Sequence, residues 1–292
     1  MIQYSMSIEI KSFYHDDTGT WSYVLLDPDQ NLATIIDPVM DFDLSSGKVS
    51  YQSANQLIDY IKQNSLTLQW ILETHAHADH ISAAQHIKQQ LGGQIVIGEG
   101  IKEVQTHFSD FFNIDMPIDG SQFDRLMAKG EKLPFGSYEF TAYQTPGHTN
   151  DSMSYEIEGN LFIGDTFFHP DTGTARCDFP GGDAEKLFDS LQLLLSFPED
   201  YKLWLCHDYP DGREPETGIS VADMKHNVHL QQSRNDKSEF VKIRTKRDST
   251  LDVPRLIYPS VQLNIRAAEL PQGESNGRKY LKMPLFVQKE HN

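Results

Sequence analysis

The stretch "LQWILETHAHADH" (68–80) sets three histidines and an aspartate, His75, His77, Asp79 and His80, directly after an apolar run. A short apolar run of this kind folds as a buried strand, so four polar side chains enter the interior at its end. Burying a polar group without a partner costs roughly 1–3 kcal/mol. A chain carrying this stretch must therefore build a pocket around something those groups hold. Imidazole and carboxylate together hold zinc, iron or manganese. His75 and His77 lie two apart on extended chain, so both rings face one point. Asp79 and His80 fall where the next helix is expected to begin, and face a second point nearby.

Three further candidates follow downstream: His148 in "TPGHT", Asp165 in "GDT" and His207 in "CHDY". Each ends an expected strand: "YEFTAYQTPG", the hairpin "SMSYEIEGNLFIGD" and "KLWLCHDY". Earlier strands are "IEIKSFYH", "WSYVLLDP", "LATIIDP" and, after the first helices, "QIVIG". The period switches to helical over 52–64, where Ala54, Leu57, Ile58 and Ile61 share one face, and again from about His80 to Leu91. Over Asp183–Phe197 the stripe is Leu187, Phe188, Leu191, Leu194 and Leu195. Strands and helices alternate, and the metal-ligating types gather at strand ends, where loops are held by a rigid scaffold. The expected organisation is a catalytic domain over 1–220 and a helical or irregular extension over 221–292, interrupted by Pro254, Pro259 and Pro271.

The formal net charge of −17 disfavours a nucleic-acid surface, which needs clustered Lys and Arg. The opening "MIQYSMSIEIKSFYHDD" has neither the basic nor the apolar region of a signal peptide. No apolar run approaches the roughly 20 residues of a membrane span. Two cysteines, Cys177 and Cys206, exclude a disulfide framework and are expected to be buried and inert. A cytoplasmic protein is expected. The basic run Lys242, Arg244, Lys246 and Arg247 reads as a solvated helix face.

"HAHADH", "PGHT", "GDT" and the late histidine, in that order and spacing, resemble the metallo-β-lactamase superfamily. That resemblance implies an α/β fold, the αββα four-layer sandwich, with the metal site at one edge of two sheets. In its dinuclear hydrolases one metal takes the residues matching His75, His77 and His148. The other takes those matching Asp79, His80 and His207, with Asp165 bridging, and zinc-activated water attacks a carbonyl.

The stretch "GDTFFHPDTGTARCDFPGGDAEKLFDSL" (164–191) resembles, more finely, the bacterial persulfide dioxygenases, and "LCHDYPDGRE", "EFVKIRTKRD" and "PSVQLNIRAAELP" extend the likeness over about residues 8–272. It implies one Fe(II) per chain, held by His75, His148 and Asp165, two histidines and a carboxylate that leave coordination positions open. His77, Asp79, His80 and His207 would then orient those ligands or hold a second metal. The implied reaction oxidises glutathione persulfide with O2 and water to sulfite and glutathione. The resemblance also implies a homodimer and a small-molecule persulfide as partner, while the charge and the lack of a long apolar run lead to no nucleic-acid or membrane partner being expected. Arg176 matches an arginine suited to gripping a glutathione carboxylate, and Tyr209 is a second substrate candidate. Two alternatives stand beside this reading: a two-zinc hydrolase of glyoxalase II type acting on a thioester or lactone, and a catalytically silent binding module.

Overall fold

The computed structural model describes residues 7–231, 233 and 236–286. Residues 1–6 of the opening segment and the last six of the C-terminal extension lie outside the described residues. The chain begins with β1 (Glu9–His15), β2 (Thr20–Asp27), β3 (Leu32–Ile36), β4 (Val39–Asp43) and β5 (Lys48–Ser50). Helix α1 (Gln52–Gln63) leads to β6 (Thr67–Leu72) and β7 (Ile81–Ser82), and α2 (Ala84–Leu91) leads to β8 (Gln94–Gly98). After α3 (Ile101–Phe111) come β9 (Arg125–Met127), β10 (Lys132–Phe135), β11 (Tyr138–Gln144), β12 (Met153–Ile157) and β13 (Asn160–Phe162). Helix α4 (Ala184–Leu195) precedes β14 (Lys202–Trp204) and β15 (Ile219–Ser220). Three helices follow: α5 (Val221–Met224), α6 (Lys237–Asp248) and α7 (Ile257–Asn264).

Two six-stranded sheets form, in the orders β1-β2-β3-β6-β8-β9 and β10-β11-β12-β13-β14-β15. Inner strands such as β2 and β3 are buried on both faces, so alternate residues feed different layers. In β2, Tyr23 and Leu25 join Phe135, Phe140, Tyr155 and Phe162 between the sheets. Val24 and Leu26 of the same strand point outward to α1 and α2, against Leu57, Ile61 and Ile87. On the far side, Leu161, Leu203 and Leu205 pack under α4 and α6 with Leu187, Leu191 and Phe240. The result is the αββα sandwich.

The apolar faces expected for α1 and α4 are buried residue for residue, and Asp183 caps α4 by accepting from the Glu185 and Lys186 amides. Two expectations are corrected. The helix after the metal motif starts at Ala84, not His80, because Ile81 and Ser82 pair with Met40 and Val39 of β4 instead. Pro259 does not interrupt the C-terminal pattern. It lies in the first turn of α7, where a missing N–H costs nothing. No helix among the described residues is long and apolar enough to cross a membrane.

Candidate metal centre

The segment 73–80 leaves β6 as irregular chain, and irregular chain in a protein interior needs partners for its backbone. Side chains from distant elements supply them. Asp37, just past β3, accepts from the Thr74 amide at 2.8 Å, the Thr74 hydroxyl at 2.9 Å and His77 Nε2 at 3.2 Å. Asp151, three residues past His148, accepts from the Ala76 amide at 2.7 Å. Neither carboxylate is among the residues singled out by the sequence. Both stand at strand or loop ends, a position shared by too many carboxylates to be diagnostic.

On this support the seven candidates converge. Ligand atoms of His75, His148 and Asp165 lie within 4.8 Å of one another, as do those of His77, His80 and His207. Asp165 stands between the two trios. Its Oδ2 is 3.9 Å from His75 Nε2 and 3.6 Å from His148 Nε2, while its Oδ1 is 3.6 Å from His207 Nε2. Asp79 Oδ2 is 3.3 Å from His207 Nε2 and accepts from the Tyr209 hydroxyl at 3.3 Å. The expectation that His75 and His77 face one point is met only in part. Their rings touch, with centroids 4.1 Å apart. The ligand atoms nevertheless group His77 with His80 and His207, because Asp37 and Glu73 draw its Nε2 away from the first trio.

A direct test of metal fit is where unpartnered atoms fall. Buried polar atoms almost always have a hydrogen-bond partner. Here His75 Nε2, His77 Nδ1, both ring nitrogens of His80, His207 Nε2, Asp79 Oδ1 and Asp165 Oδ1 have none. The opposite nitrogens of several of these rings are held. His75 Nδ1 meets the Thr74 hydroxyl at 3.1 Å, His77 Nε2 the Asp37 carboxylate at 3.2 Å, and His207 Nδ1 the Thr18 carbonyl at 3.3 Å. The His148 ring is likewise anchored, by Nδ1 to the Arg176 carbonyl at 2.8 Å. One nitrogen anchored and the other bare is how metal-ligating histidines are presented. The donor set fits a divalent cation, and the cluster is a metal-binding His/Asp site.

Without a cation the cluster opposes itself electrostatically. Burial holds His75 well below the usual histidine range, and burial with the neighbouring His77 pushes His80 down to about 3. Burial also works against a charged His207, but the carboxylates of Asp79 and Asp165 outweigh it and raise His207 to about 9. Burial raises Asp165 itself.

A cavity of about 290 Å³ opens over His148, Asp165 and Asp79, walled by Phe168, Phe179, Tyr209, Arg176, Arg247 and Leu251 among others. Tyr209 stacks on the His207 ring, its OH turned to Asp79. Arg176 is on the wall, but its guanidinium grips Asp178 through Nε and Nη2 and the Asp252 carbonyl through Nη1. The basic run of α6 is not a uniformly solvated face. Arg244 is buried, bonded to Asp248 and the Thr174 carbonyl, while Arg247 faces the cavity with no acidic partner among the described residues. Both cysteines are buried, and burial pushes the Cys177 thiol up to about 12.

Comparison with known proteins agrees with this geometry. The family model described as the metallo-beta-lactamase superfamily matches residues 15–207. A probable metallo-hydrolase of Burkholderia pseudomallei is 44% identical, the match covering 94% of this chain and 98% of that protein. Glyoxylase B2 of Dictyostelium discoideum is 43% identical, covering 98% and 100%. Among solved structures, ETHE1 from Myxococcus xanthus superposes with a TM-score of 0.72 at 26% identity, covering 89% of this chain and 100% of its own.

Proposed function

The chain belongs to the metallo-beta-lactamase superfamily, and we propose that it is a persulfide dioxygenase with one Fe(II) held by His75, His148 and Asp165. The observation that carries this reading is the two-histidine, one-carboxylate trio of His75, His148 and Asp165, of which His148 and Asp165 line the cavity. The likeness to ETHE1 from Myxococcus xanthus and the resemblance of residues 164–191 to the persulfide dioxygenases support it. Iron bound by such a trio would supply the activation of O2 and leave positions for substrate.

The chain's own residues position and exclude. The Arg176 carbonyl fixes the His148 ring with Nε2 toward Asp165. Thr74 does the same for His75, and Tyr209 engages Asp79, a residue that a second metal would need. Phe168, Phe179 and Leu251 give the cavity an apolar wall that keeps water from the reacting sulfur. Arg247, with no acidic partner among the described residues, offers its guanidinium to an anionic substrate at the same wall.

A second reading, a two-zinc hydrolase, has its own observation. His77, His80 and His207 form another trio with bare nitrogens, and the curated relatives carry the names metallo-hydrolase and glyoxylase. Metal analysis after anaerobic purification, with oxygen uptake on glutathione persulfide, separates the two. One iron per chain with oxygen consumption is expected. Two zinc ions with thioester turnover and no oxygen uptake would overturn the dioxygenase reading.

Arg176→Ala is expected to raise the KM for glutathione persulfide about tenfold, the worth of one charge-assisted hydrogen bond, with kcat little changed. For the wild-type side chain to reach a substrate carboxylate, it must share or release Asp178. An unchanged KM would leave Arg176 as the residue that anchors Asp178 and, through its carbonyl, His148.

A further inference from the structure

Helix α7 ends beneath the metal motif, and its last residue reaches into it. The Asn264 side chain donates from Nδ2 to the His77 carbonyl at 2.8 Å and to the His80 carbonyl at 2.9 Å. Its Oδ1 accepts from the Ser82 amide at 2.9 Å. The orientation of this amide is not ambiguous, because two carbonyls can only accept and a backbone N–H can only donate. The side chain is 4% exposed, so these three bonds are made without competition from water. Around it, Val261 and Ile265 pack on Ala78, inside the motif, and Leu263 joins the layer beneath the first sheet.

The carbonyls that Asn264 holds belong to His77 and His80, two of the three residues in the second trio, and both present bare ring nitrogens there. Asp37 and Asp151 fix the motif at Thr74 and Ala76. Beside the pairing of Ile81 and Ser82 with β4, the backbone from His77 to Ser82 is clamped by this carboxamide, delivered from 184 residues beyond His80.

We propose that Asn264 is a positioning residue of the metal centre: its carboxamide sets the backbone between His77 and His80 and so holds their imidazoles at ion-binding spacing. The C-terminal segment is then a working part of the centre. This rests on a metal at the His77–His80–His207 trio, which the one-iron reading does not require, so it stands or falls separately from the dioxygenase reading.

The test is Co(II) titration of the full-length protein, followed by absorbance in the visible region. Asn264→Ala is expected to bind Co(II) at least about tenfold more weakly, the range known for residues that orient metal ligands, with an altered absorption spectrum. Gln262→Ala is the control. It is buried on the same helix and bonds the Tyr258 and Lys282 carbonyls, so it disturbs α7 without touching the motif. Its Co(II) affinity is expected to match wild type. A folded Asn264→Ala protein with wild-type affinity and spectrum would overturn the proposal, as would an equal loss in Gln262→Ala. Should Asn264→Ala fail to fold, hydrogen exchange on the wild-type protein decides. Loading Co(II) should slow the amides of α7 more than those of α1, and equal rates in α7 with and without metal would overturn the proposal.

Discussion

Asp165→Ala is expected to lower metal affinity by more than about 100-fold and to abolish oxygen uptake with glutathione persulfide. The lower bound comes from partners of metal ligands, whose loss alone costs about 10–100-fold. Asp165 is placed as a ligand, and it is the carboxylate of the His75–His148 trio, so without it a divalent ion meets two neutral imidazoles. Among the described residues the neighbouring carboxylates face elsewhere: Asp79 Oδ2 accepts from Tyr209 and faces His207, Asp37 is engaged with Thr74 and His77, and neither falls in the His75–His148 trio. Thermal denaturation separates ligand loss from misfolding. A metal present at a hundred times its Kd stabilises a protein by about 2.7 kcal/mol. Wild type should therefore melt higher with metal than with chelator, and Asp165→Ala should melt alike in both. Full activity in the variant would show that the three-residue assignment is wrong.

The legible part of this molecule is the part with a local period. The buried faces of α1 and α4 follow from spacings of three and four, and the strands that lead to His148 and Asp165 are legible as short segments closed by turns. The metal motif is legible for a different reason. Burying "HAHADH" behind an apolar strand leaves few chemical outcomes, and all seven candidates do meet at one edge of the sandwich.

What was not legible is long-range and aperiodic. Ile81 and Ser82 continue a helical-looking segment in sequence, yet pairing with β4 outweighs a weak local preference. Asp37, Asp151 and Asn264 each satisfy backbone groups of the motif, and no spacing rule connects residue 264 to residue 80. The role of the C-terminal segment was hidden in the same way. Arg247 and Leu251 wall the cavity, but a basic run on a helix with a weakly segregated apolar face reads as solvent exposure until its neighbours are known.

Gly147→Ala is expected to cost about 3–5 kcal/mol and to weaken metal binding with it. Gly147 sits at φ +134, in the region that favours glycine, immediately before His148. A Cβ there would lie 2.3 Å from both the backbone N and the Cα of Leu187. These are main-chain atoms of α4, so no rotamer change relieves the overlap. Backbone strain of this kind costs about 1–3 kcal/mol, and forcing packed elements apart costs a similar amount. The Gly147 carbonyl also accepts from the amide of Asp183, the cap of α4, so the clash pries apart a joint that is hydrogen-bonded as well as packed. Either α4 shifts outward or the strand end shifts inward, and the second carries His148 away from Asp165. Gly47→Ala provides the contrast. Gly47 also has positive φ, at +67, but nothing lies within 4 Å of its added Cβ, so only the backbone term of about 1 kcal/mol applies. Denaturant midpoints with unchanged slopes measure both losses. Equal losses in the two variants would mean that the close approach of α4 to the His148 turn contributes nothing to stability, and the packing account of how this site is held would fail.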